Sequence, residues 1–224
     1  MRAPSGPDRA GAGADAPTSR PGRPPLTERR KEATRLEIAH EAVRLFAEHG
    51  VQRTSGEDIA RAVGISTRTL WRYFPTKEQC VRPLLTRGLD RMARRLVELP
   101  PGRPLADVAR RDRGAAHDEA YEPGQLQALR SLIRLTRNEP SIMAVWLQVH
   151  YRAEDVLAEV IATRLGLPAD SLDVRVRATM VNSALRVAME DWALSEAPDG
   201  EPGTPDQHDA LGRAMGIVCA GLDC

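Results

Sequence analysis

The chain has 224 residues, a formal net charge of +1 and a hydrophobic fraction of 42%, which is enough for one sizeable helical core or two small domains. It contains no run of about 18 consecutive apolar residues, so we expect no membrane span. The N-terminus lacks the apolar stretch of a secretory signal. Three cysteines, Cys80, Cys219 and Cys224, are too few and too far apart for a disulfide framework. They favour a reduced, cytoplasmic protein.

The small net charge hides two regions of opposite sign. Residues 20–95 carry 17 Lys and Arg against 9 Asp and Glu, a balance of +8, whereas residues 96–224 carry 13 against 20, a balance of −7. A basic N-terminal part followed by an acidic remainder is typical of a nucleic-acid-binding protein with a separate regulatory body. Chance asymmetry on solvated faces is the alternative.

The elements predicted in chain order are almost all helical. Residues 1–25 are rich in Pro, Gly and Ala, and we expect a disordered arm. Apolar residues then recur at helical spacing, and glycines, prolines and serines mark the helix ends. The predicted helices cover about 27–49, 55–63, 66–73, 77–99, 104–119, 124–137, 140–165, 170–195 and 206–221. The prediction is an all-α protein of about nine helices.

The charge balance and the helix pattern divide the chain into two domains. Residues 26–75 are predicted to form a three-helix head, and residues 76–224 a larger helical body. Pro83 lies inside the predicted fourth helix, which Thr76 caps. Because proline lacks a backbone N–H, it should bend this helix. We interpret the bend as a hinge between head and body, with a tolerated kink as the alternative.

The segment 54–77 has the pattern of a helix-turn-helix. Gly64 supplies the turn, and Ser66 can cap the second helix of the pair. The next three residues then lie in its first turn, where helix-turn-helix proteins place base contacts. The predicted base-contacting residues are Thr67, Arg68 and Thr69, and the donors to phosphate oxygens in the next turn are Trp71, Arg72 and Tyr73. A solvated amphipathic helix pair is the alternative.

This segment resembles the DNA-binding region of the tetracycline-repressor family of bacterial regulators. The matching positions are Ile59-Ala60, Ala62, Gly64-Ile65-Ser66, Thr69-Leu70, Tyr73-Phe74 and Lys77-Glu78, with Ala42, Leu45, Phe46 and Gly50 before them. The resemblance implies a homodimer whose two recognition helices bind a pseudopalindromic operator in double-stranded DNA. It also implies that a small molecule bound in the C-terminal domain releases the DNA.

The resemblance further implies that Thr54 and Ser55 contact phosphates at the start of the second helix, and that Trp71, Tyr73 and Lys77 do so later. Two residues depart from the family pattern. Trp71 replaces the usual tyrosine, and Gly56 replaces an apolar residue. This glycine should remove a core contact and cost about 0.5–1 kcal/mol relative to alanine. The arm segment 20–24 could enter a minor groove, or remain a solvated tail.

The sequence contains none of the common catalytic or cofactor-binding signatures. There is no G-x-S-x-G, P-loop, dinucleotide fingerprint or H-E-x-x-H, and the five histidines are scattered. We therefore expect no enzyme, no metal site and no cofactor.

The predicted C-terminal body instead carries a candidate effector pocket and a candidate dimer interface. Met and Trp beside a few polar groups are typical of an adaptable pocket for a small apolar or amphipathic effector, although they could be plain core residues. The candidate effector-binding residues are Leu129, Ile133, Met143, Trp146, Leu147, His150, Asn182 and Ser183. The last two helices should pair with their symmetry mates as a four-helix bundle, with candidate contacts at Arg186, Met189, Trp192 and Met215.

The sequence thus favours a ligand-responsive, homodimeric transcriptional repressor. A transcriptional activator on the same fold is one alternative. A small helical enzyme or carrier without DNA binding is the other.

Overall fold

The computed structural model describes residues 26–100, 103, 107, 124–195 and 207–222. These residues form eight α-helices and one short 3-10 helix, with no strand among them. The helices are α1 (Leu26–His49), α2 (Gly56–Val63), α3 (Thr67–Tyr73), α4 (Arg82–Glu98), α5 (Gln125–Thr136), α6 (Pro140–Leu165), α7 (Leu172–Leu194) and α8 (Gln207–Leu222). The all-α prediction is confirmed. The predicted arm and nearly all of the predicted helix over 104–119 lie outside the described residues.

The ends of the helices in the head follow from local sequence. Ser55 is the N-cap of α2: its hydroxyl accepts from the backbone N of Asp58, and the Asp58 carboxylate accepts from the backbone N of Ser55. This is the complete capping box that the spacing predicted. Gly64 ends α2 with φ of 71°, a left-handed conformation that suits glycine. Ser66 caps α3 by accepting from the backbone N of Thr69.

Apolar side chains from the three helices form the core of the head. Phe46 of α1, Ile59 of α2 and Leu70 of α3 are each at most 1% exposed, and Val51 from the loop after α1 is fully buried. These buried residues lock α3 against α2 and α1, because each contributes apolar area that water no longer reaches. The exposed face of α3 is therefore held in a fixed orientation.

The prediction of one kinked helix over 77–99 is wrong. A 3-10 helix covers Glu78–Val81, and α4 begins only at Arg82, with Pro83 in its first turn. The first turn of a helix has no intrahelical partner for its N–H groups, so proline is accommodated there without a bend. The hinge interpretation of Pro83 loses its structural basis.

The body is built around α6 and α7. Helix α7 packs against α5, α6 and α8, while α4 packs on α6 and α1 packs on α5, which joins the head to the body. Two arginines of α5, Arg130 and Arg134, donate to the backbone carbonyls of Ala193 and Ser195 at the end of α7. Across the described ranges, no helix is long and apolar enough to span a membrane.

Candidate nucleic-acid interface and effector site

The exposed face of α3 presents two guanidiniums, those of Arg68 and Arg72, and a set of further donors. Arg68, the second residue of the helix, is exposed, and it has no hydrogen bond or ion pair to the residues that the structure describes. Trp71 and Arg72 are also exposed, and Thr67 and Tyr73 partly so. The Thr69 hydroxyl lies 2.9 Å from that of Ser66. Arg68 is thus the donor on this face that is most available to a ligand.

Tyr73 lies between two cations at the end of α3. The guanidinium carbons of Arg35 and Arg72 are each 5.6 Å from the centroid of its ring. Such contacts favour a fixed ring position through cation–π attraction. The phenol and both guanidiniums therefore form one positively charged cluster beside the base-contacting positions.

Thr54, predicted to contact phosphate, is instead internal. Its side chain is 2% exposed, and its hydroxyl lies 2.9 Å from the carbonyl oxygen of Gly50 and 3.3 Å from that of Leu45. The single hydroxyl hydrogen is used to close the end of α1. The prediction for Thr54 is therefore wrong, because a buried side chain cannot reach a phosphate.

Ser55 and Lys77 lie at the surface, but both have partners within the head. The Ser55 hydroxyl lies 2.6 Å from the Asp58 carboxylate, and this bond helps to hold the pKa of Asp58 below its usual value. Nζ of Lys77 donates to the carbonyl oxygens of Val51 at 2.6 Å and Thr54 at 2.8 Å. Lys77 therefore fastens the segment after α3 to the loop between α1 and α2, a contact between residues distant in sequence.

The two departures from the family pattern, Gly56 and Trp71, occupy one space. A Cβ at residue 56 would overlap Cζ2 and Cη2 of the Trp71 ring and would lie 3.2 Å from Cε2. The indole thus covers the backbone of Gly56, which is buried. Gly56 is the first residue of α2, so the cost of a glycine inside a helix does not apply. The sequence predicted that Gly56 removes a core contact. The Trp71 ring supplies that contact instead.

A second candidate site is a buried polar cluster between α6 and α7. Nδ1 of His150 lies 2.8 Å from Oδ1 of Asn182, and Nδ2 of Asn182 donates to the His150 carbonyl oxygen at 3.1 Å and to Oε1 of Glu154 at 3.2 Å. His150 is 3% exposed and Asn182 4%. The Trp146 ring meets the imidazole edge-on, with centroids 4.2 Å apart, and its Nε1 donates to Glu190 at 3.3 Å.

Comparison with known proteins assigns the chain to a family. The family model described as "Bacterial regulatory proteins, tetR family" matches residues 38–84, and the family model described as "MftR C-terminal domain" matches residues 112–223. The chain is 30% identical over 196 residues to the "Putative mycofactocin biosynthesis transcriptional regulator MftR" of Mycobacterium tuberculosis, which covers 87% of this chain and 94% of that protein. This chain belongs to the TetR family.

Two further comparisons agree with this assignment. The HTH-type transcriptional regulator TcmR of Streptomyces glaucescens is 28% identical over 196 residues, covering 84% of this chain and 86% of TcmR. Salmonella enterica GusR shares the fold, with a TM-score of 0.52 and 20% identity over 90% of this chain and 98% of GusR. This TetR-family chain is a DNA-binding transcriptional regulator and not an enzyme.

The structure divides the predicted effector residues of this TetR-family body into two groups. Leu129 and Ile133 of α5, with Trp146, His150 and Asn182, are buried, and Met143 is partly buried against the same core. Leu147 is 49% exposed and Ser183 is exposed. Each of these two follows a buried residue by one position, which turns it about 100° around the helix. Their assignment to an internal pocket is wrong.

The predicted dimer contacts also fall into two groups, one buried and one partly exposed. Trp192 is 2% exposed and Met215 is fully buried, so both pack inside the monomer and cannot meet a partner. Arg186 and Met189 are partly exposed, and Arg186 donates to Glu190 at 2.8 Å. The structure also shows a stripe of exposed apolar side chains on α7, consisting of Leu172, Val176, Met180, Val187 and Leu194. We call these five residues the α7 stripe.

Replacing Gly56 by alanine is expected to weaken DNA binding more than it weakens the fold. The new methyl group displaces the Trp71 ring, which is 42% exposed and can move outward. We expect a tenfold or so loss of DNA affinity, the equivalent of about 1.4 kcal/mol, with a smaller change in the free energy of unfolding. Fluorescence anisotropy and urea unfolding measure the two quantities.

The double variant Gly56→Ala with Trp71→Ala provides the control. If the methyl group acts through the indole, its effect on DNA affinity shrinks in the Trp71→Ala background, with a coupling energy of about 1 kcal/mol. An equal effect of Gly56→Ala in both backgrounds would contradict the shared-space interpretation.

The buried histidine predicts a loss of stability in mild acid. Burial holds the pKa of His150 below its usual value of 6.5, against an opposing effect of the Asn182 hydrogen bond. The unfolded chain takes up a proton near pH 6.5 that the folded chain resists. Stability is therefore complete above this pH and falls as the pH drops towards the lowered pKa.

Urea unfolding across this range checks the sign. His150→Phe should show a smaller loss of stability below pH 6.5 than the parent, because the buried titrating group is gone. Ser183→Ala, at an exposed position of α7, retains His150 and should follow the parent curve. An unchanged pH dependence in His150→Phe would rule His150 out as the source.

Proposed function

We propose that this TetR-family protein is a homodimeric repressor that binds a pseudopalindromic operator in the bacterial cytoplasm and releases it when an effector enters the body. The observation that carries the proposal is the exposed face of α3, where Arg68 is fixed in position by the buried Leu70 and has no described partner. A guanidinium in the first turn of a recognition helix suits a bidentate contact with guanine. We propose Thr67, Arg68 and Thr69 as base-contacting residues.

The phosphate contacts are proposed for the residues around this centre. Trp71, Arg72 and Tyr73 offer N–H and O–H donors on the same helix, and Lys77 keeps one ammonium hydrogen beyond the two that the loop carbonyls accept. Ser55 stands at the start of α2, where the N–H groups of the first turn and the helix dipole favour an anion. The Arg-containing segment 20–24, proposed for the minor groove, lies outside the described residues.

A gel-shift titration tests DNA binding directly. The probes are the DNA upstream of the chain's own gene and, because of the similarity to MftR, DNA upstream of mycofactocin biosynthesis genes. We expect a specific complex whose affinity falls steeply with salt, since phosphate contacts release counterions. No specific complex with any of these probes at low salt would contradict the proposal. A reporter gene that is expressed more strongly without the protein would favour repression over activation.

The proposed dimer rests on the α7 stripe. Its members recur at spacings of four and seven residues and thus follow one face of the helix. Leu172 is 74% exposed and Val187 52%, and Ile217 of the neighbouring α8 is 77% exposed. An apolar face of this length on paired helices is typical of a surface covered by another protein. A second copy of the chain completes a four-helix bundle there.

Val187→Glu is expected to shift the protein from dimer to monomer. Two carboxylates would face an apolar interface, at a cost of about 2–3 kcal/mol to the dimer. Sedimentation velocity measures the monomer fraction. Val97→Glu is the matched control, because Val97 is 68% exposed but lies on α4. If both variants sediment like the parent dimer, the α7 stripe does not form the interface.

The body is proposed to hold the effector beside Trp146 and His150. Leu129, Ile133 and Met143 supply apolar surface, and His150 and Asn182 the polar groups. This is the usual composition of a small-molecule site, with few polar groups in an apolar surround. A small apolar or amphipathic effector suits it.

A further inference from the structure

The hydrogen bonds of Asn182 determine which nitrogen of His150 carries the proton. Nδ2 of Asn182 faces two groups that can only accept, the backbone carbonyl of His150 and the carboxylate of Glu154. The amide nitrogen must therefore point to them, which turns Oδ1 towards the imidazole. Since Oδ1 accepts, Nδ1 of His150 must donate the bond of 2.8 Å. Asn182 thus holds the ring in the Nδ1–H tautomer.

The other ring nitrogen is left as a buried acceptor. Burial lowers the pKa of His150, so the ring is neutral near pH 7 and Nε2 carries a lone pair. Nε2 is inaccessible to solvent and has no hydrogen-bond partner among the described residues. A buried polar atom of this kind normally has a partner, because leaving the bond unmade loses its solvation without compensation. The missing partner must be a donor.

The neighbouring charged groups are already paired. Glu190 accepts from Nε1 of Trp146 and from Arg186 at 2.8 Å. Glu154 accepts from Asn182 and from the hydroxyl of Thr179 at 3.2 Å. Two carboxylates against one guanidinium leave the surroundings of the imidazole slightly negative. A third carboxylate close to Nε2 would be repelled by its lone pair and by these charges.

We propose that the effector is recognised through a neutral hydroxyl or N–H group that donates a hydrogen bond to Nε2 of His150, with its apolar frame beside Trp146. This rests on the proposed function, in which the body binds an effector. The chemical class is an alcohol, a phenol or an N–H heterocycle. A carboxylate or an ether is excluded from this position because neither can donate.

A matched pair of probes tests the donor requirement on the full chain. 2-Naphthol carries a hydroxyl, and 2-methoxynaphthalene has the same frame without the donor. We expect calorimetry to show about tenfold tighter binding of 2-naphthol, the discrimination that one buried hydrogen bond supplies. In His150→Phe the two affinities should become equal, whereas Ser183→Ala should keep the preference. 2-Naphthoate should bind more weakly than 2-naphthol.

The tautomer is measured without a variant or a probe. Nitrogen-15 spectra of the imidazole side chains should show His150 with a protonated Nδ1 and an unprotonated Nε2, and 2-naphthol should shift the Nε2 resonance. If His150→Phe does not fold, Asn182→Leu takes its place, since it unlocks the tautomer and should reduce the preference for the hydroxyl. A protonated Nε2, equal affinity for the two probes, a preference for the carboxylate or no binding of 2-naphthol would overturn the proposal. A gel shift without probe reports separately on DNA binding.

Discussion

Replacing Arg68 by alanine is expected to cause the largest loss of operator affinity of any single substitution on α3. Arg68 is exposed in the first turn of the helix, and no described residue competes for its guanidinium. A bidentate pair with guanine contributes about 1–3 kcal/mol of discrimination, and the proposed dimer makes this contact twice. We therefore expect a loss of about 2–6 kcal/mol, or roughly 30-fold to 10⁴-fold in affinity.

The pattern of the loss separates base contact from phosphate contact. Arg68→Ala should lower affinity for the operator far more than affinity for unrelated DNA, because the lost contact carries the sequence preference. Arg72→Ala should weaken both kinds of binding and reduce the salt dependence. Arg61→Ala is the control, because Arg61 is exposed on α2 and pairs with Asp58. If Arg68→Ala weakens both DNAs equally, Arg68 is not a base-contacting residue.

The parts of the head that were predicted correctly are those fixed by neighbours in sequence. The capping box at Ser55 and Asp58, the cap at Ser66 and the glycine turn at residue 64 each depend on three or four consecutive residues. Hydroxyl and carboxylate side chains at those spacings have few other local partners. The exposed position of Arg68 followed from the same local geometry.

Contacts between distant residues of the head were not predicted. Lys77 reaches carbonyl oxygens 26 and 23 positions earlier, and no periodicity in the sequence indicates such a bond. Gly56 and Trp71 lie 15 positions apart. Considered alone, each departure from the family pattern looks like the loss of a contact. Only the three-dimensional arrangement shows that the indole fills the space that the glycine leaves. The boundary at residue 75 stays a prediction, although Lys77 ties the start of the body to the head.

In the body, the apolar stripes predicted the helices but not their buried sides. Helix α7 is apolar on two faces: Trp192 lies inside the monomer, whereas Val187 is 52% exposed. Hydrophobicity is the same on a face covered by the chain itself and on a face left for a partner. Polar residues indicated the site better than apolar ones, because a buried polar residue needs a partner. His150 and Asn182 are each 4% exposed or less.

Arg130 and Arg134 of α5 form a clamp on the end of α7, and a substitution in this clamp is expected to have the second large effect. Arg130 is 4% exposed. One of its terminal nitrogens donates to the carbonyl oxygen of Ser195 at 2.7 Å and lies 2.9 Å from the Ser195 hydroxyl. Its guanidinium also covers the Trp192 ring at 5.6 Å from the centroid. Carbonyl groups at a helix C-terminus carry partial negative charge, which the arginine neutralises.

Arg130→Met is expected to lower the free energy of unfolding by about 3 kcal/mol. Methionine retains much of the apolar stem but removes the buried guanidinium, and with it the bonds to Ser195 and the contact with the Trp192 ring. A hydrogen bond made by a charged group contributes about 1.5–3 kcal/mol, and the lost cation–π contact adds to it. Urea unfolding measures the loss. Arg134→Met is the matched control on the same helix. Arg134 donates to the same carbonyls at 2.6 and 3.0 Å but is exposed, so water can replace it and the cost should be about 1 kcal/mol.

The order of these two losses identifies what holds α7 in place. If burial of the guanidinium determines the loss of stability, Arg130→Met is the more damaging change, although Arg134 makes the shorter bond to Ala193. If bond length decides, Arg134→Met costs as much or more, and the account of the clamp as a buried cap on α7 fails. Because α7 carries both Asn182 and the α7 stripe, a loosened end in Arg130→Met should also weaken the proposed dimer. Arg134→Met should leave the dimer intact.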